Sequence, residues 1–278
     1  MKHAILILMH KIENNIQSII NILDDDNISF FVHADLKDAP RFVSQKSKIT
    51  YVSTGKTAWG TSSLVDAEIQ LMRVAKSSNN FDYYHLISGD DFLMMNKKFF
   101  LQFFEDNVGR NFIGVSPTDD EKLNNRVKFW YPFANIKMNR RVRMRLIKIF
   151  EIVQSLFRVN RIKNVTFKFY KGPQWFSITD QAVEKVLASD LSIYKNTVLT
   201  DEVFVQTVLL NDYELSDSIM KQKSDGAEAA RYIDWLRGSP YVFTRQNEAE
   251  LKKLRNTHYV FGRKIENKFG NELMRELI

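Results

Sequence analysis

His3-Ala4-Ile5-Leu6-Ile7-Leu8-Met9 reads as a buried strand, because Ala4 through Met9 are all apolar with no polar residue between them. The run is far short of the roughly 20 residues that cross a membrane. It also lacks the charged start and small-residue cleavage site of a secretory signal. Working outward, Ile12, Ile16, Ile19, Ile20 and Leu23 fall on one helical face, and Asp24-Asp25-Asp26-Asn27 breaks the chain. Ile28–Val32 and Ile49–Val52 read as further strands. Thr61-Ser62 caps a helix in which Val65, Ile69, Met72 and Ala75 share a face, and Phe81–Ile87 is a fourth strand ending at Ser88-Gly89-Asp90-Asp91. Four strand-helix alternations predict an α/β sandwich with a largely parallel sheet. Ligands of such sheets bind outside the carboxyl ends of the strands, here His10, His33-Ala34-Asp35, Ser53-Thr54 and Ser88–Asp91.

Past Phe112 the pattern loosens. Strands are expected at Val165–Phe169, Trp175–Ile178 and Tyr232–Trp235. Helices are expected at Asp180–Leu187 and Asp201–Leu210, and from about Asn247 and Arg263. No repeat, low-complexity tract or linker interrupts the 278 residues, so one domain is expected. Its nucleotide-binding half would be 1–115 and its acceptor-binding half 116–278. The chain has 44% apolar and 26% charged residues, enough for a core, and the absence of Cys removes disulfides, thiolate metal sites and a Cys nucleophile. A soluble cytoplasmic protein is the expectation.

Charge is concentrated. Between Lys122 and Lys171 stand 14 Lys and Arg against one acid, Glu151, a local +13; the remaining 26 bases and 32 acids make a body of −6. A localised anionic partner is implied: a membrane surface, a phosphorylated lipid or a nucleic acid. Arg140-Arg141-Val142-Arg143-Met144-Arg145, leading into Leu146–Phe150, reads as a basic amphipathic helix with Val142, Leu146, Ile149, Phe150, Val153 and Phe157 at helical spacing. Such helices lie on anionic bilayers. The alternative is a helix packed on the sheet with a solvated basic face. The acidic body and the lack of a recognised nucleic-acid module weigh against nucleic acid.

No glycine-rich phosphate loop, HExxH pair or G-x-S-x-G elbow occurs. The motifs that remain resemble the family of core-2/I-branching N-acetylglucosaminyltransferases and peptide O-xylosyltransferases. They are His33-Ala34-Asp35-Leu36-Lys37, Trp59-Gly60 with Ser63-Leu64-Val65 and Ala67-Glu68, and Leu86-Ile87-Ser88-Gly89-Asp90-Asp91-Phe92. Gly172-Pro173-Gln174-Trp175-Phe176, Asp201-Glu202 with Phe204, Gln206 and Thr207, Tyr232-Ile233-Asp234-Trp235 and Phe261-Gly262-Arg263-Lys264 complete the series in the family's order. Phe92-Leu93 stands where the family usually has Pro-Leu or Pro-Ile.

The resemblance implies a GT-A-like nucleotide-sugar fold and an inverting, metal-independent glycosyl transfer. UDP-GlcNAc is the first candidate donor, followed by UDP-xylose or another UDP-hexose. The acceptor would be a glycan hydroxyl, on a lipid-linked oligosaccharide of a bacterial surface polysaccharide. Glu202 matches the base that deprotonates the acceptor. With Thr200 as cap it would lie in a helix's first turn, where the macrodipole favours negative charge. Its bland reading is an acid that merely decorates a helix start. Lys264 and Arg263, at the start of the last helix, would face the diphosphate. Arg237 and Arg245 compete for the role of a second cation. His10, Asp35, Asp90 and Asp91 are further donor-side candidates, and Gln174, Trp175, Asp234 and Trp235 are acceptor-side ones, the indoles offering faces for sugar stacking. Asp24–Asp26 has D-x-D spacing but reads as a solvated turn. The competing readings are a metal-dependent enzyme using Asp90 and Asp91, a nucleic-acid-binding protein using the basic segment, and a catalytically dead sugar-binding relative.

Overall fold

The computed structural model describes residues 1–9, 15–34, 40–53, 57–117, 119–134, 136, 138–219 and 227–276. The opening run is strand β1 (His3–Met9), buried along its whole length. There follow α1 (Asn15–Leu23), β2 (Ile28–Ala34), β3 (Lys48–Val52), α2 (Ser62–Ser78), β4 (Tyr83–Ser88), β5 (Asp91–Leu93) and α3 (Lys97–Asp106). The chain continues through β6 (Phe112–Ile113), α4 (Asp120–Lys128), α5 (Arg140–Leu156), β7 (Phe176–Thr179) and α6 (Asp180–Ala188). It ends with α7 (Phe204–Leu210), α8 (Tyr213–Ser218), β8 (Arg231–Ile233), α9 (Glu248–Lys253), β9 (Phe261–Arg263) and α10 (Asn267–Arg275).

The main sheet runs β3-β2-β1-β4-β7-β6. Its first four strands are mutually parallel, and β7 and β6 close the far edge in antiparallel pairing. This is the expected α/β class. Because strand side chains alternate, β1 feeds two cores. Ala4, Leu6 and Leu8 join the layer of α2, α6 and α7, while Ile5, Ile7 and Met9 join that of α1, α3 and α10. Each such Ile or Leu stabilises the fold by about 1.5–3 kcal/mol relative to an exposed one. A second sheet, β5-β9-β8, sits beyond the end of β4, with β5 antiparallel and β8 parallel to β9. Strand order reverses between β1 and β4, the point at which sheets of this class bind their ligands.

Several boundaries differ from those expected. Val165–Phe169 forms no strand; Phe169 is buried as an anchor of a loop tied to α7 through Tyr170 N–H and Thr207 Oγ1 (3.1 Å). Phe261–Arg263 is a strand rather than a helix start, because Gly262 lets it lie against Phe92, whose ring would be 2.2 Å from an added Cβ. Asp24 is not simply solvated: its carboxylate accepts from Ser44 Oγ (2.6 Å) and from the amides of Gln45, Lys46 and Ser47 (2.9, 3.0 and 2.8 Å).

The largest departure is α5. It buries Arg143 and Ile147, with Leu146 and Phe150 partly covered, and turns Val142, Ile149, Val153 and Phe157 outward. Arg143 goes inward because it donates to the carbonyls of Ala134 (3.0 Å) and Ile136 (2.6 Å), acceptors that no apolar side chain could satisfy.

Candidate active site

Two charged clusters are linked by the loop that leads into β7, and the first of them stands at the end of β4. In the first, β5 and β9 pair with Asp91 opposite Arg263. Arg263 Nη1 donates to Asp91 Oδ1 at 2.7 Å and also contacts Ser88 Oγ. The other Asp91 oxygen accepts the Ser88 amide at 2.8 Å, so this carboxylate is held from two sides. Lys264 Nζ lies 2.7 Å from Asp90 Oδ2. The Arg263 guanidinium covers the Trp175 ring, 4.1 Å from its centroid. Arg263 is 12% exposed and Lys264 29%, so the lysine is the more open of the two cations.

Arg263 and Lys264 therefore do not sit at a helix N-terminus. The Lys264 amide bonds the Tyr241 carbonyl (3.3 Å), and α10 starts later, at Asn267. Their charges belong to a four-residue array with Asp90 and Asp91.

The second cluster surrounds Glu202. Arg126, on α4, donates from Nη1 to Glu202 Oε2 at 3.0 Å, and Lys171 Nζ stands 3.7 Å from the same oxygen. Glu202 lies in the turn before α7 rather than in its first helical turn. Thr200 closes that turn with its backbone carbonyl, which accepts from Val203 and Phe204 (3.0 and 3.1 Å), while its hydroxyl bonds Thr197 (2.8 Å). Two cations from the basic segment thus orient this carboxylate.

Behind Glu202 sits a buried pair of acids. Asp201 is pushed up to about 7, first by burial and then by the Glu202 charge. Glu68, on α2, is raised well above the usual carboxylate range by burial and then by the charge of Asp201; Gln174 Nε2 donates to its Oε1 at 2.7 Å and works against the shift. Glu68 Oε2 and Asp201 Oδ1 find no hydrogen-bond partner among the described residues.

The Gly172–Trp175 loop joins the clusters. Gln174 reaches Glu68 while its neighbour Trp175 lies under Arg263. The Gly172 amide donates to the Glu202 carbonyl (3.0 Å), and Gln206 Nε2 donates to Pro173 O (2.8 Å). An added Cβ at Gly172 would stand 1.8 Å from Gly114 O, so only glycine allows the loop to cross there.

Asp234, Trp235, Arg237 and Arg245 follow β8, whose Ile233 pairs with Arg263, and the charged side chains among them have partners of their own. Asp234 accepts the Leu236 and Arg237 amides (2.8 Å each). Arg237 is paired with Asp234 and Glu250, its guanidinium over Tyr241. Arg245 is paired with Glu272. Trp235 is exposed. This loop is bound to the first cluster by backbone hydrogen bonds of Tyr241 and Phe243 with Lys264. His10 and Asp35 lie outside the described residues.

Sequence reading overlooked Arg126, Lys171, Glu68 as a site residue, and Arg231. Arg231 is fully buried and donates to Phe176 O (2.7 Å) and Ser177 Oγ (3.1 Å); burial lowers it to about 9. The local excess of Arg and Lys was the only signal for the first two.

The Core-2/I-Branching enzyme family model matches residues 8–257 of this chain. The chain belongs to that family, and is a glycosyltransferase with a nucleotide-sugar donor and a glycan acceptor. A comparison with curated proteins finds no match.

Proposed function

We propose that this chain is an inverting, metal-independent transferase. It moves a sugar, with GlcNAc first among the candidates, from a UDP-sugar to a hydroxyl of a glycan or lipid-linked oligosaccharide. Its setting is bacterial surface-polysaccharide assembly at the cytoplasmic face of a membrane. The observation that carries the reading is the Gly172–Trp175 loop. Its Gly172 amide bonds the Glu202 backbone carbonyl, its Gln174 side chain reaches Glu68 behind that residue, and its Trp175 ring lies under Arg263, the neighbour of Lys264.

Glu202 accepts the proton of the acceptor hydroxyl as its oxygen forms the new bond to the anomeric carbon. The bond from that carbon to the diphosphate breaks on the opposite face, and the electron pair leaves with UDP. Lys264, the more exposed cation, meets the developing charge, with Arg263 behind it on the Trp175 ring. Asp90 and Asp91 hold these cations in place until phosphate oxygens compete for them. Since both acids already have cationic partners in the chain, a divalent ion is not needed to neutralise them. That supports the metal-independent reading over one in which they ligate a metal.

Melting curves with UDP-GlcNAc, UDP-xylose and UDP-glucose, each with and without EDTA, test the proposal. UDP-GlcNAc should raise Tm by mass action, and EDTA should leave the shift unchanged. A shift that vanishes with EDTA and returns with manganese sinks the metal-independent form. Lack of any shift with every UDP-sugar sinks the donor assignment.

A further inference from the structure

Helix α5 presents solvent with a face that a water-soluble surface does not need. Val142, Ile149, Ile152, Val153 and Leu156 share the side of the helix opposite Arg143 and Ile147, and Phe157 continues it past the helix end. Ile152 is 63% exposed, Leu156 77% and Phe157 78%. Arg141 and Lys148 are exposed along one flank of the same face, and Arg145 is exposed within it, where a long side chain can lift its charge to the headgroups. The single acid of the helix, Glu151, lies toward the body, where Tyr131 donates to it (3.2 Å). The outward side of α5 is therefore apolar and positive, with no acid on it.

We infer that this face of α5 docks the protein on an anionic lipid surface. The apolar row enters the acyl boundary while Arg141, Arg145 and Lys148 stay among the headgroups. Charge complementarity selects this occupant. A protein partner would have to offer an apolar groove and acids beside it, whereas an anionic bilayer offers both along the whole length of the helix. Among the described residues no helix is long and apolar enough to cross a membrane, so the contact is peripheral. The inference rests on the transferase reading only for what the docking serves, placing the enzyme beside a lipid-linked acceptor.

Sedimentation of the whole chain with vesicles tests it. Wild type should pellet with vesicles containing phosphatidylglycerol and not with phosphatidylcholine alone. The pair Arg141→Glu with Lys148→Glu, and the pair Leu156→Asp with Phe157→Asp, should each lower vesicle affinity by at least about tenfold. Because all four side chains are exposed, both variants should keep the parent's Tm and its UDP-sugar shift. No binding to the anionic vesicles, or equal binding by both variants, overturns the inference. So does a soluble dimer that Leu156→Asp with Phe157→Asp makes monomeric without any vesicle binding. Failure here leaves the UDP-sugar shift intact, whereas failure of the transferase reading removes that shift and leaves vesicle binding in place.

Discussion

Gln174 Nε2 donates a 2.7 Å hydrogen bond to the carboxyl of Glu68, a fully buried acid 106 positions earlier in the chain. The contact ties the helix after Trp59-Gly60 to the loop that carries Trp175. It also supplies Glu68 with a donor in a place that water does not reach. Replacing Gln174 with Ala should therefore cost about 1–3 kcal/mol, the usual penalty for stranding a buried polar group. Urea unfolding of parent and variant measures it. A loss within error of zero would mean that another donor reaches Glu68.

Glu202→Gln keeps the side chain's shape and one acceptor for Arg126 but removes the ability to take a proton. Its kcat should fall by about 10²–10⁴-fold. Its Tm and its UDP-sugar shift should match the parent's. Turnover at the parental rate would remove Glu202 as the base.

Arg126 and Lys171 meet Glu202 at one oxygen. Arg126→Met should lower kcat at least about tenfold with a smaller change in donor affinity, because it frees the base without touching the diphosphate site. Steady-state kinetics varying donor and acceptor separately would check this. An effect confined to donor KM would assign Arg126 elsewhere.

Lys264 and Arg263 differ in burial, so their loss should differ in kind. Lys264→Ala should weaken UDP binding about 10- to 100-fold, the worth of one charge-assisted contact, with little change in Tm. Arg263→Ala leaves Asp91 buried beside Ser88 without its cation and should lower both binding and Tm. Calorimetric titration with UDP, paired with melting curves, separates the two. Equal Tm losses would place Lys264 in a structural role.

The Asp201 carboxyl, raised to about 7 by burial and then by Glu202, makes stability depend on pH. Its folded value exceeds that of the unfolded chain, so the folded state binds the proton more tightly between about pH 4 and 7. Stability from this group is complete at the acid end and is lost as pH rises through the folded value. Asp201→Asn has no such proton to lose. Its stability in urea unfolding relative to the parent should thus rise from pH 5 and level off above about pH 7, by a few kcal/mol at most. A difference that stays constant with pH would show that folding does not raise the Asp201 carboxyl.

The parallel sheet and the helices of its first half were legible because their signal is local. The period of apolar residues in His3–Met9 or Val65–Ala75 records which side of an element meets the core, whatever lies there. The same reasoning found α5 as a helix but not the face it buries. Periodicity can place apolar side chains on one stripe of a helix, but the carbonyls of Ala134 and Ile136 were better partners for Arg143 than for any of them.

The sequence by itself determined the α/β class, the alternation of strands and helices from β1 to β4, and the family whose motifs run from His33 to Lys264. Tertiary structure alone decided which charges face each other. Arg263 meets Asp91 across 172 residues, and Arg126 meets Glu202 across 76. A hydrophobic pattern is written by neighbours along the chain. An ion pair has no period and is set by where loops deliver two side chains, so its partners emerge only when the layers pack.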